Sequence, residues 1–209
     1  IHWNIGKRCN YDCSYCADSL HDMKSPHRSL SNLIGIAEKM KENIPSHKKI
    51  RIWFTGGEPT VNPNFLKFCR WLKEDGRFVI GLNTNGSRTK EFLVQLMSVV
   101  NTIQFSSHFE YVDTNTFLPK MKAVSDYCKA HKNKSMSLNL MMEPEYWPPA
   151  VTMVKYCIEH DISYHMKRIR PKSQVDPGKK GYTPVYTDEQ IRFPNDNEYR
   201  NVVLEEYDD

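Results

Sequence analysis

The chain is predicted to be an α/β protein built from parallel β/α units, and three observations predict it. Six strand-like runs alternate with helical patterns along the chain. The connections between successive runs are helical crossovers, which join parallel strands. The 209 residues, 39% of them apolar, show no break in composition and no internal repeat beyond the alternation, so one domain can bury a substantial core.

Strand patterns fall at 1–5, 49–54, 79–84, 102–107, 135–142 and 162–169, and helical patterns at 29–42, 63–74, 90–99, 114–131 and 148–160. The chain opens inside the first strand pattern, so further residues are expected upstream of Ile1. The second strand is the apolar run from Ile50 to Phe54. The second helix has Asn62-Pro63 as a cap followed by proline at the first helical position, and its Phe65, Phe68, Cys69 and Leu72 form one apolar face. The third strand closes on Asn83-Thr84-Asn85-Gly86. Pro148 or Pro149 opens the fifth helix as Pro63 opens the second. Residues 1–170 make the core domain; the segment 171–209, rich in Pro, Asp, Asn and charge, reads as a mostly irregular tail with one short helix after Thr187.

Composition excludes several classes. No apolar run approaches the length of a membrane span, and no signal peptide is evident. The net charge of +4 is too mild to argue for nucleic acid by itself, although Lys167, Arg168, Arg170, Lys172, Lys179 and Lys180 concentrate positive charge after the sixth strand. Six cysteines, three of them in one loop, do not form a disulfide framework. Cys69, Cys128 and Cys157 fall within helical patterns and are expected in the core.

Cys9, Cys13 and Cys16 stand at C-x3-C-x2-C spacing, with Tyr15 just before the third cysteine. Three thiolates can converge on one metal centre, and they stop one ligand short of the four that saturate an iron–sulfur cluster. A zinc site completed by His21 or His27 is the alternative on ligand chemistry alone. About forty residues on, Thr55-Gly56-Gly57-Glu58-Pro59 follows the second strand. Glycines there let the backbone approach a ligand, and a carboxylate beside free carbonyls can accept from an ammonium group.

The two motifs, in this order, resemble the signature of the radical S-adenosylmethionine (SAM) superfamily. That resemblance implies a partial, six-stranded (β/α) TIM-like barrel, a [4Fe-4S] cluster on Cys9, Cys13 and Cys16, and SAM chelated to the open iron. It implies that Gly56, Gly57 and Glu58 orient the SAM methionine and that the backbone of Tyr15 meets adenine. A side chain at Gly57 is then expected to crowd SAM while sparing cluster assembly. Asn83, Thr84 and Asn85 suit a ribose or carboxylate, and the resemblance adds Ser106 and Asn139 as contacts to the SAM carboxylate and ribose. Implied too are an enzyme that cleaves SAM reductively and abstracts hydrogen from a substrate, a one-electron donor such as flavodoxin or ferredoxin, and one cluster only, since no cysteine follows Cys157. An oxygen-sensitive cluster favours a reducing compartment, by default the cytoplasm.

Strand parity locates the substrate. Ile103 and Phe105 oppose Gln104, Ser106 and His108; Leu138, Leu140 and Met142 oppose Ser137, Asn139 and Met141; Ile162, Tyr164 and Met166 oppose His165 and Lys167. With the apolar sets beneath the helices, the polar sets line the lumen, joined by His2, Asn4 and Asn83. A closed barrel would fill that space with branched apolar side chains, so a polar ligand is expected in it, with His108, His165 and Lys167 as the substrate wall. The expected substrate is a polar small molecule, nucleotide or peptide; RNA, met by the basic exit of the sixth strand, and a zinc or electron-transfer module without catalysis are the other readings. The segment 182–190 is expected either to cover the barrel opening or to stand free in solvent.

Overall fold

The computed structural model describes residues 1–193. Six strands, β1 (His2–Asn4), β2 (Ile50–Thr55), β3 (Phe78–Thr84), β4 (Thr102–Ser107), β5 (Ser135–Met142) and β6 (Tyr164–Arg168), form one sheet in sequence order, and every neighbouring pair is parallel. The crossover helices are α1 (Leu30–Glu42), α2 (Phe65–Asp75), α3 (Lys90–Val99), α4 (Thr114–Ala130) and α5 (Trp147–Glu159). The result is a partial (β/α)6 TIM-like barrel with β1 and β6 at its open edges. Two short helices, α6 (Lys172–Val175) and α7 (Asp188–Arg192), follow. No helix among the described residues is long and apolar enough to cross a membrane.

Local chemistry fixes the helix starts. Ser29 and Thr89 cap α1 and α3 by accepting the N–H groups of Asn32 and Phe92, leaving fewer orphan donors in the first turn. Thr187 and Gln190 make a capping box for α7. The expected start of α2 is corrected: Pro59–Val61 forms a 3-10 turn, Asn62 closes that turn, and α2 begins at Phe65 after an Asn64 whose side chain makes no cap bond. Asn62 spends its Oδ1 on the Asn64 N–H at 2.9 Å instead. Phe65, Phe68, Cys69 and Leu72 are fully buried beneath α2, where they meet Phe54 and Ile52 of β2. Each such large side chain contributes about 1.5–3 kcal/mol on burial.

The parity expectation holds in the strands. Ile103, Phe105, Leu138, Leu140, Met142, Tyr164 and Met166 all belong to the core beneath the helices. Gln104, Ser106, Ser137, Met141, His165 and Lys167 alternate with them as half-buried positions on the other face. The lumen is closed at one level by Trp53. Its indole N–H donates to Asn83 Oδ1 at 2.8 Å. The ring lies where a Cβ at position 81 would fall, 2.2 Å from Trp53 Cε3, so Gly81 makes room for it. The space left open is therefore at the C-terminal ends of the strands, where loops carry function in barrels of this kind.

Candidate active site

The loop after β1 carries Cys9, Cys13 and Cys16, and its own backbone folds it back on itself. Cys9 N–H donates to the Asp22 carbonyl at 2.7 Å and Asp22 N–H to the Lys7 carbonyl at 2.8 Å. The Asp22 carboxylate turns the chain again by accepting from the backbone of Lys24 and from Ser25. Those donors, the Ser25 hydroxyl first, hold its carboxyl down to about 2. All three thiols are free. Cys16 is lowered to about 7, first by a hydrogen bond with Cys13 and then, against its burial, by the charges of His21 and Lys172; Cys13 is pushed up by the same bond. Cys16 is thus the thiol most ready to become a thiolate ligand.

The Gly-Gly turn after β2 is bonded to the approach to this loop. Gly57 N–H donates to the Gly6 carbonyl and Glu58 N–H to the Arg8 carbonyl, each at 2.9 Å. Gly56 has φ +119, and a Cβ there would fall 2.4 Å from the Gly6 carbonyl oxygen. A Cβ at Gly57 would fall 2.3 Å from the Lys7 and 2.4 Å from the Arg8 carbonyl oxygen. This corrects the expectation for Gly57: the atoms that exclude a side chain are those leading into Cys9.

Glu58 is buried, and its carboxylate gathers four donors. Oε1 accepts from Thr60 N–H at 2.9 Å, Thr60 Oγ1 at 2.6 Å and Thr84 Oγ1 at 2.8 Å, and Oε2 from Asn85 N–H at 2.6 Å. Burial pushes the carboxyl up while these donors pull it down. The Asn85 amide donates to Asn10 Oδ1 at 3.0 Å, so the end of β3 is tied to the cysteine loop as well.

A cavity of about 180 Å³ lies between these parts, lined by Cys9, Cys13, Cys16, Gly56, Gly57, Glu58, Asn83, Thr84, Asn85, Ser106 and His108, with Tyr11 and His21. Most of the residues singled out in the sequence therefore meet on one space. Tyr15, Asn139, His165 and Lys167 do not line it. Tyr15 packs its ring on Ile169 and Tyr182 and shares a 2.7 Å hydrogen bond between its hydroxyl and His108 Nδ1. Asn139 is buried beside Ser106 and His165 in the sheet with an unpaired Oδ1. His165 lines a separate recess with Cys157, Ile158 and Asp161. Of the expected substrate wall, His108 reaches this cavity, while His165 and Lys167 keep the expected face of β6 outside it. His27 lines a different pocket beside Arg28 and Asn62.

Several residues that hold the site were not singled out by the sequence. Ser14 donates its N–H and hydroxyl to the Glu110 carboxylate, and the Tyr111 hydroxyl donates to the Asp12 carbonyl at 2.9 Å while its ring stacks on Tyr11. Glu110 lies two positions beyond His108, the one sequence signal that extends the β4 parity to it. Glu143, fully buried one residue after β5, continues the parity of Met141. Neither of its carboxylate oxygens makes a well-aligned hydrogen bond, and its carboxyl is raised to about 7 by burial, then by the charge of Glu110. His108 is lowered to about 4, chiefly by burial. The segment after β6 folds onto the end of β5 and the connection that follows it: the Tyr186 hydroxyl donates to the Met142 carbonyl at 2.8 Å, and the Tyr182 hydroxyl bonds Glu145 at 2.5 Å. Of the tail expected at 171–209, residues 194–209 lie outside the described residues.

Comparison with known proteins matches residues 3–135, more than half of the chain, to the Radical SAM superfamily. The chain is 32% identical over 109 residues to the tungsten-containing aldehyde ferredoxin oxidoreductase cofactor-modifying protein of Pyrococcus furiosus, covering 51% of this chain and 30% of the relative. It is 30% identical over 89 residues to the GTP 3',8-cyclase of Haemophilus ducreyi, covering 42% of this chain and 26% of the relative. The chain thus spans about a third or less of the length of these relatives. Among solved structures, Streptococcus suis SuiB bound to S-adenosylmethionine superposes with a TM-score of 0.63 at 16% identity, covering 95% of this chain and 47% of SuiB, a likeness of fold.

Proposed function

Because this chain belongs to the radical SAM superfamily, a superfamily of enzymes, we propose that Cys9, Cys13 and Cys16 hold a [4Fe-4S] cluster and that the cavity beside them takes SAM. One observation carries the reading: three free thiols, the Gly-Gly turn and the ends of β3 and β4 face a single space. Three cysteines supply an iron–sulfur cluster with all but one of its ligands, which leaves an iron for the amino and carboxylate groups of SAM. His21 also lines that space.

Held by Cys9, Cys13 and Cys16, a cluster would supply the one-electron reducing chemistry for SAM cleavage and hydrogen abstraction. The protein's residues supply position. Glu58 holds the turn in shape through Thr60, Thr84 and Asn85, and the remaining acceptor capacity of its carboxylate with the turn carbonyls would accept from the N–H groups of the SAM amine. Ser106 and Asn83 offer hydroxyl and amide groups to the rest of SAM. His108, kept neutral by burial and oriented by Tyr15, offers its free ring nitrogen to a polar substrate. The electron comes from a small donor protein of the flavodoxin or ferredoxin kind.

Anaerobic reconstitution followed by metal analysis tests this. About four irons per chain with matching sulfide are expected, and Ala at Cys9, Cys13 or Cys16 is expected to abolish both the cluster and SAM cleavage. One equivalent of zinc without iron would sink the reading.

A further inference from the structure

Lys172 opens α6, yet its side chain is only 9% exposed. Its ammonium donates to the Cys16 carbonyl and to Asp18 Oδ1 at 2.7 Å. Its backbone N–H donates to the Tyr182 carbonyl at 2.7 Å, and a Cβ at Gly181 would already stand 3.0 Å from its Cγ, so the aliphatic stem is enclosed. Lysine is almost never buried without a partner. Here the charged partner among the described residues, Asp18, is 57% exposed and is also met by Lys179 at 3.9 Å. Asp176 adds a second carboxylate, accepting the Asp18 N–H at 3.2 Å, yet the ammonium of Lys172 is the charge in direct contact with the Cys16 backbone, and water weakens the exposed Asp18 more than the buried ammonium.

We propose that Lys172 is a positioning residue for the iron–sulfur cluster, fixing the Cys16 backbone and raising the cluster's reduction potential. The inference rests on the assignment of Cys9, Cys13 and Cys16 as cluster ligands. One-electron reduction adds a negative charge to the cluster. A cation nearby stabilises the reduced form more than the oxidised form, and net charge and solvent exposure are among the quantities that set such potentials. A tether without an electrostatic role would affect how well the loop keeps its metal and leave the potential where it is.

The test is the midpoint of the cluster, followed by electron paramagnetic resonance during an anaerobic redox titration of the reconstituted full chain without SAM, with iron counted for each variant. Lys172→Met is expected to lower the midpoint, and Lys172→Gln to lower it too although an amide can still donate to the Cys16 carbonyl. Lys172→Arg is expected to keep the wild-type value. Asp18→Asn, at an exposed position that leaves Lys172 in place, is expected to raise it. An unshifted midpoint in an iron-replete Lys172→Met or Lys172→Gln protein overturns the proposal. If both neutral variants lose iron, Asp18→Asn decides, and a midpoint there that is unchanged or lower overturns it. Absence of any cluster in the wild-type protein would instead defeat the ligand assignment beneath it.

Discussion

Glu58 Oε2 accepts the Asn85 backbone N–H at 2.6 Å, and through this bond the turn after β2 and the end of β3 become one unit. Gln at position 58 keeps the volume but replaces one acceptor oxygen with a donor. Whichever way the amide turns, at least one of the Thr60, Thr84 and Asn85 donors then faces another donor in a buried site. Leaving a buried donor unpaired costs about 1–3 kcal/mol. Glu58→Gln is therefore expected to destabilise the fold by that amount in urea unfolding, along with weaker SAM binding by calorimetry. Weaker SAM binding at unchanged stability would show that the carboxylate serves the ligand alone.

Gly57 tests the contact between the two motifs. With Lys7 and Arg8 carbonyls 2.3 and 2.4 Å from a Cβ, Gly57→Val must displace the backbone leading into Cys9. The expected result is a loss of iron after reconstitution, in proportion to the loss of SAM cleavage. Full iron content with impaired SAM affinity would show that the side chain is accommodated on the cavity side.

Much of this architecture is legible in the sequence. The strand alternation in β4, β5 and β6 gave the lumen face correctly, since burial on one side leaves a period of two in the sequence. The helical patterns at 29–42 and 90–99 match α1 and α3 to within a residue. Asn62 misled because its side chain bonds two residues on within a 3-10 connection, and such local alternatives compete with a helix cap. Glu110 carried only the parity of β4 and Lys172 only its place in a basic run, because their partners Ser14 and Cys16 lie 96 and 156 residues away. His165 and Lys167 have the right parity, but parity says which face a residue occupies and not how high along the barrel the open space begins.

The core cysteines provide a control on the cluster assignment. Cys69 is fully buried among Phe65, Phe68 and Leu72, and desolvation pushes its thiol well above its ordinary range, so it is neither nucleophilic nor available as a ligand. Cys69→Ala removes one buried atom and is expected to cost about 1 kcal/mol while leaving iron content unchanged. Iron lost from this variant without a comparable loss of stability would place Cys69 among the ligands.

Glu143 and His108 give the stability of the fold opposing pH dependences. The Glu143 carboxyl is raised from 4.5 to about 7, so between those values the folded protein holds a proton that the unfolded chain has released, and stability falls as pH rises. The His108 ring is lowered from 6.5 to about 4, so between those values the unfolded chain holds the extra proton, and stability rises with pH. From about pH 4.5 to 6.5 the two trends cancel in part; above that only the Glu143 loss continues, to its end near pH 7. Glu143→Gln removes the falling contribution, so the variant's stability relative to wild type is expected to rise between pH 5 and 7 and to level off by pH 8. Urea unfolding of both proteins at pH 5, 6, 7 and 8 measures this difference. A constant difference across the series would show that Glu143 ionises in the fold as it does in the unfolded chain, held by Tyr15 and the Phe109 amide more firmly than its burial opposes.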